Sequence, residues 1–377
     1  MPQTGIRFCD GREIVEDRFN ARLKELELHQ YVETTYRSND NSTTFSLRKE
    51  FADSWVPHND TTQLSRYIEF SAVGTANYLE CEILLAMLAA PRCLEYPNYE
   101  EFLSSVHIRC NIVRAAERTQ LAFHTSEAER PEEFWTYVSN LGFTILPGKS
   151  LITALEKATQ PEVSGKLYSF SCYRATEYVI LLGIARELAI VNPGLLTELE
   201  QQWERQPIMS GKFHDVFLYE YGSMHEPLPP RYYVPGDRVW FRNPDERSSD
   251  VSGYEGSWVF YLGRGLFSNF WKRDQPYTLT TKCVEIFHWR HGVFLDSAGE
   301  PRMDEAVVDA RKRETFAEPE EVGRIFERMV QLRDPTGVYA NGGCIDASRE
   351  FPKWICPGSE QIVLPARQFA FGHQTSD

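Results

Sequence analysis

Apolar residues crowd every face of residues 77–90 (NYLECEILLAMLAA), which predicts a buried helix stopped by Pro91. In residues 99–120, Phe102, Val106, Cys110, Val113 and Ala116 recur at three-and-four spacing, and Glu, Arg and Gln fill the remaining face. That pattern predicts a surface helix packed on a core. EFWTYVSNLGF (133–143) and SLITALEKAT (150–159) follow, the second opening with a Ser cap and a helix-friendly composition. After Gly165, KLYSFS reads as a short extended segment running straight into a strongly apolar helix from Cys172 to Ile190.

Beyond Pro193 the pattern changes to short runs of Val, Trp, Phe and Tyr between turn residues: 215–219, 238–241, 257–262, 285–289 and 293–295. These predict an antiparallel sheet. Residues 303–332 read as helical, and 334–377 carry enough Pro and Gly to predict a loop-rich tail. At the other end, residues 1–66 read as a polar, weakly ordered lead-in with one helix over 17–31; the Ser/Thr/Asn/Asp tract from Ser38 to Ser46 looks unsuited to any core. The resulting division is an N-terminal extension (1–95), a catalytic domain (96–333) and a C-terminal tail (334–377).

The 377 residues carry 40 Lys and Arg against 54 Asp and Glu, a formal charge of −14, which disfavours nucleic-acid binding by phosphate neutralisation. The longest good apolar run, Tyr178 to Ala185, is bounded by Glu177 and Arg186 and is too short to span a bilayer. With no basic segment followed by an apolar one at the N-terminus, the expected compartment is the cytoplasm. Eight cysteines are scattered without disulfide-framework or zinc-knuckle spacing, so most are expected to be reduced and buried.

Cys172 is the cysteine placed where a nucleophile belongs, at the head of a helix after an extended segment. Free N–H groups and the helix dipole there stabilise a thiolate and offer an oxyanion site. A half-buried structural cysteine is the competing reading. A thiol nucleophile also needs a base. His288 and His291 lie in EIFHWRHGVFL; on a strand, side chains three apart point to opposite faces, so one of them can face the sulfur. His291, followed by Gly292, is the choice, against the alternative of an ordinary solvated histidine. Cys283, His288 and His291 lack a fourth ligand for a metal site, and Gly263-Arg-Gly265 lacks the third glycine of a dinucleotide turn.

Taken together, NIVRAAERTQ (111–120), residues 133–160, LYSFSCYRATEYVILL (167–182), PGDRVWFRNPDE (235–246), GSWVFYLG (256–263) and WRHGVFL (289–295) resemble, in content and order, the Bacillus-type bacterial transglutaminases, the spore-coat protein-glutamine γ-glutamyltransferases. The resemblance runs from about Tyr96 to Arg333. It implies an α+β, papain-like (NlpC/P60-type) core with the nucleophile on Cys172 in F-S-C and the histidine on His291 in H-G. Two family carboxylates are replaced, by Ser171 and Ser257. Glu255, two positions from Ser257, is the candidate to orient His291, with Glu285 and Asp296 as further candidates.

The activity so implied is γ-glutamyl-ε-lysine cross-linking of protein substrates through a Cys thioester, without metal, Ca²⁺ or organic cofactor and without nucleic-acid or membrane partners. Spore-coat association is implied by the resemblance alone. A glutamine deamidase or papain-like amidase using the same Cys–His pair, and a non-catalytic coat-assembly protein retaining the fold, are the alternatives.

Overall fold

A computed structural model describes residues 4–9, 12–68, 70–122, 128–336 and 342–365. The expected weakly ordered lead-in is instead a folded layer. Strand β1 (Ile6–Phe8), helix α1 (Arg12–Glu25), the hairpin β2 (Val32–Arg37) and β3 (Ser42–Leu47), helix α2 (Lys49–Trp55), helix α3 (Phe70–Leu88) and strand β4 (Leu94–Tyr96) build a four-stranded sheet in the order β2-β3-β1-β4. The polar tract enters the core because β3 is an interior strand: the ladder satisfies its backbone, Thr43 and Thr44 are buried, and Phe45 packs 4.4 Å from Phe19.

Helix α4 (Tyr99–Arg118) starts at Asn98, whose side chain accepts from the Glu101 N–H. Residues 133–143 form the hairpin of β5 (Trp135–Val138) and β6 (Gly142–Ile145). Helix α5 (Leu151–Thr159) has Ser150 as its cap, as expected, and α6 (Pro161–Ser164) ends at Gly165. KLYSFS forms no strand and makes one isolated bridge, Ser169 with Ala122. Then come helix α7 (Cys172–Val191), α8 (Pro193–Arg205) and α9 (Gly211–Phe217). The strand expected over 215–219 is therefore mostly helix, because Phe213 and Phe217, four apart, both turn into the core.

The central sheet follows: β7 (Leu218–Tyr221), β8 (Arg238–Arg242), the short α10 (Glu246–Ser249), β9 (Gly256–Gly263), β10 (Leu266–Phe267) and β11 (Tyr277–Thr278). Helix α11 (Leu279–Gly292) occupies the expected 285–289 strand. Its Thr278–Thr281 capping box starts it, and Cys283, Val284, Ile286 and Phe287 are buried on all sides, so its β-branched and aromatic run marks a buried helix. The hairpin β12 (Val293–Leu295) and β13 (Pro301–Met303) precedes α12 (Glu305–Phe316) and α13 (Pro319–Met329). The tail, expected to be loop throughout, contributes β14 (Arg349–Pro352); residues 337–341 and 366–377 of it lie outside the described residues. The sheet order is β11-β10-β9-β8-β14-β7, with every pairing antiparallel.

Alternation along β9 divides the interior. Phe260 and Leu262 join the core built by α4, α5 and α7, whereas Val259 and Tyr261 join the core under α11 and α13. Tyr261 also reaches α3, where its hydroxyl donates to Glu82 (3.3 Å) and the Arg264 N–H donates to the same oxygen (2.7 Å). Burial pushes the Glu82 carboxyl up to about 7 against these two donors. A carboxyl raised from 4.5 favours folding in its neutral form. That contribution is full below about pH 4.5 and is lost as the pH rises through 7, about 3 kcal/mol in all. Urea unfolding of Glu82→Gln is accordingly expected to show the variant gaining about 3 kcal/mol on the parent between roughly pH 4 and pH 8. Parallel pH profiles would exclude Glu82 as their source.

Candidate active site

Cys172 is the first residue of α7, and the Ser171 hydroxyl in front of it accepts from the Arg174 N–H at 3.3 Å. The helix is anchored by its apolar run on α4, α5 and β9. The sulfur therefore sits against the start of β9, where the backbone N–H of Trp258 donates to it. Around that point the aromatic side chains interlock: Trp258 stacks on Trp240 (5.5 Å, 7°) and meets Tyr173 edge-on (5.6 Å), with the Arg238 guanidinium 4.2 Å from the Trp258 ring. A Cβ on Gly256 would fall 2.3 Å from Trp240 Nε1, so glycine is what lets the strand approach this stack.

A cavity of about 940 Å³ opens where β9 begins, and Cys172 is in its lining together with Gly256 and Ser257. Helix α11 contributes Thr281, Lys282, Glu285 and Trp289, and α12 contributes Val308, Asp309, Lys312, Arg313 and Phe316. Glu285 is the electrostatic centre of that wall. Its carboxylate accepts from Lys282 Nζ (3.0 Å) and Lys312 Nζ (2.9 Å). Burial works against the charge, but the two ammonium groups overcome it and hold the carboxyl down at about 2. Lys282 lies over the Tyr277 ring at 4.0 Å, and the Tyr254 hydroxyl donates to Glu305 at 2.8 Å across the same cavity.

The helix terminus does not dominate the ionisation of Cys172. Burial pushes its thiol above the ordinary range, while the Trp258 N–H, the Lys282 charge and the Tyr173 N–H pull it down and the Glu255 charge adds to the rise. Cys172 is thus a thiol at rest.

The remaining expected site residues are placed elsewhere. Because residues 279–292 are helical, His288 and His291 lie one turn apart and meet each other, Nδ1 to Nδ1, at 3.0 Å. His288 Nε2 also contacts Thr315 Oγ1 at 2.8 Å. Residues 281, 282, 285 and 289 form the cavity face of α11; His291 projects well round the helix from it, and among the described residues no hydrogen bond or ion pair joins it to Cys172. Burial and the neighbouring Arg311 and Arg290 lower the His291 pKa. The expected Cys172–His291 pairing is therefore corrected: it required opposed faces on a strand that the chain does not form. Glu255 is exposed, and its carboxylate accepts from the Gly253 N–H (3.1 Å) instead of orienting an imidazole. Asp296 accepts from Ala298, Glu300 and Arg302 within the β12–β13 turn. Cys283 faces Cys344, with the sulfurs 3.7 Å apart. Lys282 and Lys312 were not singled out from sequence; reading 279–292 as a capped helix would have grouped Lys282, Glu285 and Trp289 on one face.

A family model described as protein-glutamine gamma-glutamyltransferase matches residues 60–362, further in both directions than the 96–333 span of the sequence resemblance. A protein-glutamine gamma-glutamyltransferase of Halalkalibacterium halodurans is 24% identical over 209 residues, covering 52% of this chain and 66% of the relative, just under two thirds of its length. A solved transglutaminase from Geobacillus stearothermophilus, without its C-terminal extension, aligns over 57% of this chain and 98% of its own at 19% identity, with a TM-score of 0.39. With the family match extending over most of its length, the chain belongs to the protein-glutamine gamma-glutamyltransferase family.

Proposed function

We propose that this chain is a cysteine acyltransferase that joins a protein-bound glutamine to a lysine amine, on a papain-like core of the NlpC/P60 kind. The observation that carries the reading is Cys172, at a helix start, in the lining of a large cavity walled by aromatic and charged side chains, in a chain of this family. The Cys172 sulfur attacks the γ-carboxamide carbon and the C–N bond breaks. The nitrogen leaves as ammonia, and a thioester remains. An incoming lysine amine then attacks the thioester carbonyl, giving an isopeptide bond and returning the sulfur. Water in place of the amine gives glutamate. The orphan N–H of Cys172 at the helix start is suited to the oxyanion that forms in both halves. Trp271, Trp289, Tyr254 and Tyr277 give the cavity apolar surface for the methylene chains of both substrates, and none of these steps draws on a metal.

The test is incubation with a Gln-containing protein and a labelled primary amine, following both label and ammonia. Incorporation of label with release of ammonia is the expected result. Ammonia without label would replace cross-linking by deamidation, and neither product would leave a non-catalytic, coat-assembly role as the better account.

A further inference from the structure

The cavity that receives the thiol is lined by no histidine among the described residues, yet the nucleophile needs a group that takes and returns a proton. Resting on the acyl-transfer reading above, we propose that Lys282 is the acid–base group of the Cys172 reaction, giving a proton to the leaving nitrogen and taking one from the incoming amine, held in place by Glu285 and Lys312.

Three features of the site support this. Lys282 and Cys172 line the same cavity, although they come from α11 and α7, which pack into different cores of the molecule. The Lys282 side chain is 2% exposed, so its ammonium is withdrawn from bulk water and fixed, unlike an ordinary surface lysine. Finally, the group is oriented. Glu285 accepts from it at 3.0 Å, and the second Glu285 oxygen is held by Lys312 at 2.9 Å, itself bonded to Asp309 at 3.2 Å. Proton carrier and orienting carboxylate are thus paired as imidazole and carboxylate are in hydrolases, in the cavity that Cys172 also lines. Ser171 and Ser257, which stand where the resemblance places carboxylates, supply none. The Lys282 charge is also the first side-chain influence favouring the Cys172 thiolate, after the backbone N–H of Trp258.

The proton balance is as follows. The resting thiol first gives its proton to solvent, so the reacting form is thiolate beside the Lys282 ammonium. As sulfur bonds to the γ-carbon, the ammonium gives its proton to the departing NH2, which leaves as NH3, and Lys282 becomes a neutral amine. When the neutral acceptor amine attacks the thioester, its nitrogen gives one proton to Lys282 Nζ and sulfur departs as thiolate. Both groups are restored, and the net change is exchange of NH3 for the acceptor amine.

The 377-residue chain tests this with Lys282→Met and Lys282→Arg, each followed by alkylation of Cys172 with iodoacetamide across pH, read on the Cys172 peptide, and by amine incorporation. Arginine keeps the charge but does not deprotonate. The expected result is a Cys172 alkylation profile displaced by about one pH unit upward in Lys282→Met and unmoved in Lys282→Arg, with incorporation reduced by about 10²-fold or more in both. Lys282→Arg retains a cation beside Glu285, so it serves alone where Lys282→Met does not fold. Full incorporation by folded Lys282→Arg, or an unmoved profile in folded Lys282→Met, would overturn the proposal. A parent protein that neither incorporates amine nor releases ammonia would overturn acyl transfer itself; the alkylation profiles would then still decide whether Lys282 sets the Cys172 ionisation.

Discussion

Cys172→Ala protein is expected to incorporate labelled amine at least about 10⁴-fold more slowly than the parent, at the floor of the assay, while unfolding at nearly the same temperature. The separation of the two readouts follows from where the sulfur lies. It stands at the edge of a cavity and not inside the core, so its loss removes the bond-forming atom and little packing. Ser171 still caps α7, and the Trp240–Trp258 stack is untouched by the substitution. Cys9, exposed, and Cys93, half-buried, remain for nonspecific thiol chemistry, so the residual rate is the background those groups supply. A variant retaining a tenth of the parent activity would remove Cys172 from the mechanism.

Asp237→Ala is expected to lower stability by about 3–5 kcal/mol. Asp237 and Arg109 are both about 2% exposed and bonded at 2.7 Å, joining α4 to the turn before β8. The other Asp237 oxygen accepts from the Val234 N–H at 2.7 Å, so one carboxylate holds both the turn and the cation. Its removal leaves the Arg109 guanidinium buried with the Pro235 carbonyl at 3.3 Å and the Phe351 ring at 4.8 Å, neither of which neutralises it. Urea unfolding reads the effect as a fall in midpoint with little change in slope. A loss below about 1 kcal/mol would mean that the pair is hydrated and contributes as a surface bridge does.

The helices that set the site were legible in sequence because their patterns are long: α4, α7 and the α12–α13 region lie close to where periodicity put them. Strands β8 and β9 were legible from their aromatic runs between turn residues. What misled was local composition overruled by position in the fold. The Thr-rich stretch of β3 reads as loop until two neighbouring strands satisfy its backbone. The VEIF run of α11 reads as strand until its cap is noticed and its burial on every side is known. That one substitution of helix for strand displaced the site prediction as well, since it moves His291 away from the cavity and brings Lys282 and Glu285 to it. The position of Cys172 at a helix start was legible because it is a local feature, whereas what shares its cavity depends on how two distant helices meet.

Strand β14 lies between β7 and β8, although more than a hundred residues separate it from either in the chain, and the backbone after it is tied to α4 by Glu101, which accepts from the Ile355 and Cys356 N–H groups. A ribosome therefore emits Cys172, the cavity walls and both neighbouring strands before it emits the piece that closes the gap between them. Until then β7 and β8 present open edges, and a polypeptide ended at residue 333 would keep them open permanently. Closure of the sheet is in this way deferred until Arg349–Pro352 has been made, so that a chain still growing carries the sulfur without the finished scaffold around it.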